Sequence, residues 1–205
     1  MRNDELRRRA LESLKEFEVL MTDGHFDFGN GYHGRVYLNP HRLFRQPSAI
    51  WRYGQDLIDV MPDTITNAAE VVAGPVMGGA LLAHTMAGLM DGRRPLTHPP
   101  YSFAPISQDS EGGLIIRDFY RTVLNGRRVL LVDDVRNTGK TFERAKALIE
   151  AAGGHVIATA EICDRLESIV DLGVPNIALA EYKAPGNYLV ADCPMCKANQ
   201  PITTF

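Results

Sequence analysis

Two adjacent carboxylates, Asp133 and Asp134, follow an apolar run, Val129 to Val132, and precede a short loop, Val135 to Thr141. The apolar run reads as a buried parallel strand. Beyond the loop, Ala145, Leu148, Ile149 and Ala152 recur at helical spacing. A strand feeding a helix through a small polar loop makes an anion cradle, because the first N–H groups of a helix lack partners within it. Thr138 and Thr141 add hydroxyl donors there. Ionised carboxylates can only accept hydrogen bonds, so Asp133 and Asp134 suit the hydroxyls of a sugar diol. Together the parts suit a ribose 5-phosphate.

Other readings of this segment fit less well. Gly139-Lys140-Thr141 is like the end of a P-loop, but that motif needs glycine at position 134, which is aspartate. A dinucleotide-binding turn needs Gly-x-Gly-x-x-Gly after its strand, and none follows. Paired aspartates of phosphoacceptor domains lie near the domain start, not two-thirds along. An ordinary polar strand end is the remaining alternative. A second anion site weighs against it. Gly74-Pro75-Val76-Met77-Gly78-Gly79 also follows a strand and opens a helix, and its three glycines allow close backbone approach to an anion. Two such sites at strand ends suit a ligand with phosphate at one end and diphosphate at the other.

The elements that must position these residues follow from periodicity. Leu6, Ala10, Leu14, Phe17 and Met21 predict a helix over 4–21, stopped at Gly24. Residues 25–39, rich in glycine and aromatics, predict a short hairpin. Ser48 to Met61 reads as an amphipathic helix with Ser48 as N-cap and Pro62 beyond its end. On these helices Trp51 is expected in the core or a dimer contact, and His84 as a core histidine. Val71 to Ala73 is a strand, Gly74 to Gly79 a turn, and Leu81, Leu82, Met86 and Leu89 mark a helix. Residues 95–104 read as a strand, and 105–117 as a polar loop with a short ribbon at Leu114 to Ile116. Strand 129–132, helix 139–152, strand 156–162, a short strand at 177–180 and an irregular tail complete the chain. Strands alternating with helices predict an α/β fold with a central parallel sheet flanked by helices. Ligands of such sheets bind beyond the carboxyl ends of the strands, where both anion sites fall.

Composition narrows the class. The chain has 205 residues, 45% hydrophobic and 23% charged, with a formal net charge of -3. That is enough chain for one domain with a real core. The charge leaves no basic footprint for nucleic acid. No apolar run approaches the roughly 18 residues of a membrane span, and the charged start, Arg2 to Arg9, argues against a signal peptide. An odd count of 3 cysteines points to a reducing, cytoplasmic setting. Cys193 and Cys196 form a lone Cys-x-x-Cys, and His25, His33, His41, His84, His98 and His155 show no zinc-like spacing. The expectation is a plain pair of thiols, with a zinc site across a dimer as the alternative.

Val132-Asp133-Asp134-Val135-Arg136-Asn137-Thr138-Gly139-Lys140-Thr141 resembles the phosphoribosyl-diphosphate (PRPP) signature of type I phosphoribosyltransferases. That family favours threonine at the place of Asn137 and a small residue at that of Lys140. The resemblance implies the type I phosphoribosyltransferase fold, with a small N-terminal hood over the sheet. It implies a single domain over 1–205, the hood from about 1–40 plus the C-terminal tail and the core from about 48–182. PRPP would be bound by Gly74, Met77, Gly78 and Gly79 at the diphosphate, and by Val135, Arg136, Asn137, Thr138, Gly139, Lys140 and Thr141 at the 5-phosphate. Mg²⁺ is the implied cofactor, arriving with PRPP rather than on an assigned side chain, and a homodimer the implied assembly.

Nearly the whole chain is similar to the orotate group of that family. Gly24-His25-Phe26 through Asn30-Gly31-Tyr32-His33-Gly34-Arg35-Val36-Tyr37-Leu38-Asn39 resembles its hood. Cys163-Asp164-Arg165 resembles its Asp-Arg pair, whose arginine contacts the carboxylate of the base, and Cys193-Pro194-Met195-Cys196 resembles the end of a bacterial subgroup. The resemblance implies transfer of phosphoribose to orotate in pyrimidine synthesis, with Asp133, Asp134 and Arg117 catalytic and with Arg165 and Phe26 at the base. A surface ion pair with Asp164 or Glu161 is the alternative for Arg165. The chain also departs from the group. Phe103 to Ser110 holds no lysine or arginine, and Asp118 stands where an arginine is usual. A transferase for another base, or a PRPP-binding regulator without transfer chemistry, therefore remains open.

Overall fold

The computed structural model describes residues 2–29, 31–167 and 170–204. The first helix, α1 (Arg2–Glu16), buries Leu6, Ala10 and Leu14. It ends earlier than its apolar spacing predicts, because Glu18 adopts a left-handed φ of 52° and the Val19 N–H turns back to the Leu14 carbonyl at 2.9 Å. Chain that would have extended the helix instead forms β1 (Leu20–Met21). Two short strands, β2 (Phe26–Asp27) and β3 (Tyr32–Gly34), then form the expected hairpin, and β4 (Tyr37–Leu38) pairs antiparallel with β1.

A 3₁₀ turn (Pro40–Arg45) leads into α2 (Pro47–Val60). Pro47 takes the first helical position, where its fixed φ and missing N–H cost nothing, so Gln46 rather than Ser48 is the N-cap. Trp51 on this helix is 49% exposed, so it lies outside the core. A short α3 (Asp63–Ala68) precedes β5 (Val71–Pro75) and α4 (Gly78–Gly92). His84 faces out of α4, exposed and edge-on to Phe103 at 5.3 Å, contrary to the core reading.

The next strand, β6 (Ser102–Gln108), starts later than predicted and runs into the expected loop. It hairpins with β7 (Leu114–Ile115). Asp109 shapes the turn: its Oδ1 accepts the Glu111 and Gly113 N–H groups at 2.9 and 2.8 Å. After α5 (Asp118–Leu124) come β8 (Arg128–Arg136), α6 (Lys140–Ala151), β9 (His155–Asp164) and β10 (Asn176–Glu181). The tail, expected to be irregular, forms β11 (Tyr188–Leu189) and α7 (Pro194–Lys197), and β11 pairs with β3.

The central sheet runs β10-β9-β8-β5-β6-β7, parallel except for β7. Successive strand residues point to opposite faces. Val72, Leu130 and Val132 therefore join one core with residues of α1, α2 and α4, while Val71, Ala73, Val129 and Leu131 join a second with Phe142, Ala145 and Ile149 of α6. Helices covering both faces explain why β5 and β8 read as continuous apolar runs. From β5 the chain moves to β6 on one side and later returns to β8 on the other. Strand order thus reverses between β5 and β8, the place where a parallel sheet opens a crevice.

Candidate active site

Both anion turns open at that reversal point. In register, Ala73 of β5 faces Leu131 of β8, so Gly74 and Pro75 end beside Val132 and Asp133. The two turns pack directly together. A side chain at Gly78 would collide with the Asp134 carboxylate and come within 2.5 Å of the Phe44 ring, and one at Gly79 would meet Asp133 Oδ1 at 2.8 Å. Those two positions are glycine because the carboxylates occupy the space. Between them opens a cleft of about 290 Å³, lined by His41, Met77, Gly78, Gln108, Gly112, Leu114, Asp133, Asp134, Thr141 and Arg144 among others. A larger cavity of about 530 Å³ lies between α1 and α2, but it is bordered by surface charges such as Arg9 and Asp56, already paired at 3.0 Å.

The acidic pair is electrostatically loaded. Burial first, then repulsion by Asp134, holds the Asp133 carboxyl well above the usual carboxylate range. Burial also raises Asp134, opposed by the Val135 N–H, Asp133 and the His41 charge. Asp133 accepts the Asp134 N–H at 2.9 Å. Such a pair accepts a cation or hydroxyl donors readily, because either relieves the cost of two buried charges.

The other residues singled out in the sequence are placed as follows. β8 does not stop at Val132; it continues through the acidic pair to Arg136, pairing Val135 with Cys163 and Arg136 with Asp164. Arg136 is buried, with its guanidinium 3.2 Å from the Val170 carbonyl and over the Phe142 ring. The turn is accordingly shorter than expected. Asn137 and Thr138 form it, Gly139 caps α6 with a φ of +84°, and Lys140 and Thr141 open the helix. Arg117 is the exposed N-cap of α5, outside the cleft lining. Asp118, at the place of the usual arginine, pairs with Arg121 at 3.5 Å. Arg165 is largely buried and bonds Glu167 at 3.0 Å, neither Asp164 nor Glu161. Phe26 is buried inside the hood against Tyr37, ring centroids 5.9 Å apart.

Sequence reading passed over three cleft residues. Arg144 lies one turn after Thr141 on α6, so helical spacing from the cradle could have found it. Gln108 comes from a strand end that was read as loop. His41 is brought by the 3₁₀ turn, with no local signal.

A second cluster of polar side chains lies in the hood. The ligating atoms of His25, His33, Cys193 and Cys196 all lie within 4.8 Å of one another. The fold thus places beside the two thiols, read as a plain pair, the two histidines that sequence spacing did not supply.

The phosphoribosyl transferase domain family matches residues 55–172, more than half of the chain. The chain belongs to the phosphoribosyltransferase family. Among curated relatives of this phosphoribosyltransferase, the orotate phosphoribosyltransferase of Thermotoga maritima is 30% identical over 192 residues, 93% of either chain. That of Novosphingobium aromaticivorans is 31% identical over 177 residues, 85% of each. The fold is shared with the orotate phosphoribosyltransferase structure from Aeropyrum pernix, at TM-score 0.65 and 21% identity, covering 84% of this chain and 93% of that one. It is shared also with an adenine phosphoribosyltransferase from Thermoanaerobacter pseudethanolicus, at TM-score 0.61 and 19% identity, covering 84% and 99%. The fold thus does not choose the base. Among the described residues, no helix of this phosphoribosyltransferase is long and apolar enough to cross a membrane.

Proposed function

We propose that the protein transfers phosphoribose from PRPP to orotate, releasing diphosphate and forming orotidine 5-phosphate in pyrimidine synthesis. One observation carries the transfer chemistry: the acidic pair and the glycine turn abut in a single cleft at the strand-order reversal. The relatives over 85–93% of the chain carry the choice of orotate.

In this reading the 5-phosphate sits at the Thr138–Thr141 turn, held by N–H groups of the α6 start and the threonine hydroxyls. Its remote binding energy orients the anomeric carbon. Asp133 and Asp134 accept hydrogen bonds from the 2- and 3-hydroxyls. The C1–oxygen bond to diphosphate breaks as the base nitrogen bonds C1, and the base proton leaves to solvent. Backbone N–H groups of the Met77–Gly79 turn face the departing diphosphate, where preorganised donors act most strongly. Arg144 adds positive charge at the rim. The hairpin carrying Gln108, Gly112 and Leu114 lines the cleft, placed to close over bound PRPP during transfer.

The donor set fits Mg²⁺. Two oxygen ligands of raised proton affinity beside a diphosphate site suit a hard cation that keeps substrate oxygens and waters in its shell. Mg²⁺ held by Asp133, Asp134 and substrate oxygens would supply neutralisation of the diphosphate charge. Three free cysteines support a cytoplasmic setting. The exposed Trp51 and Phe17 support a homodimer, which light scattering would test.

A second reading, transfer to another base, is favoured by Arg165, whose charge Glu167 already engages. The deciding experiment is orotate-dependent diphosphate release from PRPP with Mg²⁺, beside the Asp133→Asn/Asp134→Asn double variant. Release dependent on both orotate and the pair is expected. PRPP binding without release would reject orotate and direct a panel of other bases.

A further inference from the structure

We propose that His25, His33, Cys193 and Cys196 form a structural zinc site that fastens the C-terminal tail to the hood. Tetrahedral zinc, with bonds of about 2.0–2.1 Å to nitrogen and about 2.3 Å to sulfur, separates its ligand atoms by roughly 3.3 Å for two nitrogens and 3.6 Å for nitrogen and sulfur. The observed separations match this shape. His25 Nε2 lies 3.0 Å from His33 Nδ1 and 3.6 Å from each of Cys193 Sγ and Cys196 Sγ, and Cys196 Sγ lies 3.3 Å from His33 Nδ1.

The outer contacts of the two rings point the same way. His25 Nδ1 lies 3.0 Å from the Gln200 carbonyl, which can only accept, so that nitrogen carries the proton. His33 Nε2, its outer nitrogen, lies 3.9 Å from Asp27 Oδ1, an ion-pair distance rather than a hydrogen bond. The inner nitrogens, His25 Nε2 and His33 Nδ1, face each other at 3.0 Å with two sulfurs beside them, four donor atoms converging on one point. A carbonyl hydrogen-bonded behind the ring, as Gln200 is behind His25, is the usual support of a metal-bound imidazole, and the Asp27 carboxylate stands near the outer nitrogen of His33.

Burial and origin define the role. Cys193 is 0%, His25 3% and His33 4% exposed. Four protein ligands in so closed a place leave no open coordination position, which marks a structural site, and two thiolates with two imidazoles in a tetrahedron select zinc. The ligands come from both ends of the chain, His25 and Cys193 being 168 residues apart. Among the described residues the ladders that tie the tail to the hood are short: β11 on β3, the Val190 N–H to the Gly31 carbonyl at 3.2 Å, the Thr203 N–H to the His25 carbonyl at 2.8 Å, and the Asp27 N–H to the Thr203 carbonyl at 3.0 Å. So small a unit gains most from a metal staple.

The test uses the untagged, full-length protein, purified under reducing conditions and offered Zn²⁺. Mass-spectrometric metal analysis should find one zinc per chain. Mercurial modification of the thiols should release it stoichiometrically to a colorimetric chelator. Co²⁺ exchanged into the protein should give the intense visible bands and thiolate charge transfer of a tetrahedral site, and chelation should lower Tm by roughly 5 °C or more. His33→Asn and Cys196→Ser should each cut zinc content at least about fivefold. Substoichiometric metal with no cobalt spectrum would overturn the proposal, as would a Cys193–Cys196 disulfide in the reduced preparation. These readouts on the unaltered protein stand even if a variant fails to fold, and none depends on which base is transferred.

Discussion

Glu161 lies in β9, opposite Asp133 in the sheet register, and is 0% exposed. Asn176 Nδ2 donates to its Oε1 at 2.7 Å, and its Oε2 is a buried atom without a hydrogen-bond partner among the described residues. Burial, only partly offset by the Asn176 bond, pushes this carboxyl from its ordinary 4.5 to about 8. The native protein therefore keeps a proton that the unfolded chain releases near pH 4.5. Between these values the native state binds more protons, so raising the pH favours unfolding. Glu161's contribution is fully present below about pH 4.5, is lost as pH rises toward about 8, and is constant above. At about 1.4 kcal/mol per pH unit the ceiling is about 5 kcal/mol. Relaxation and water entry around the carboxylate should leave roughly 2–3 kcal/mol. Glu161→Gln mimics the protonated form and removes this dependence. Urea unfolding of both proteins from pH 5 to 8.5 should show a stability gap that moves by that amount in favour of the variant. The upper limit keeps clear of Cys163 and Tyr53, both pushed by burial to about 12. Parallel stability curves would refute the assignment of a buried, neutral carboxyl.

Asp134→Asn should lower turnover at least about 100-fold while leaving Tm of the ligand-free protein at pH 8 unchanged or higher, since it removes a buried charge; equal loss of turnover and stability would count against its role. Gly78→Ala should weaken PRPP binding at least about tenfold by calorimetry with the circular dichroism spectrum retained, because the new methyl displaces the Asp134 carboxylate. Arg165→Gln should raise KM for orotate roughly 10–100-fold, the worth of about 1.5–3 kcal/mol for a charged hydrogen bond, with KM for PRPP unchanged; equal effects on both would remove Arg165 from the base site.

What the sequence determines by itself is what is encoded within a few residues. The strand, acidic pair, turn and helix of 129–152 are contiguous, as are strand and turn over 71–79, so their chemistry is visible without knowing the partner elements. Apolar runs announced a sheet covered on both faces for the same reason. Element ends were less visible, because they depend on competing long-range pairings. Residues 20–21 leave a helical pattern to join Tyr37–Leu38, and 105–108 leave a polar loop to extend a strand, beside β5 as far as Ile106 and then beside β7. Arg136 reads as a loop cation until strand register turns it into the core. Only tertiary packing decides which distant groups share a volume: Gly78 against Asp134, Glu161 enclosed behind the acidic pair, and two histidines near the start of the chain closing on two cysteines near its end. Sequence periodicity carries direction, in or out, but it does not carry the identity of the neighbour met there.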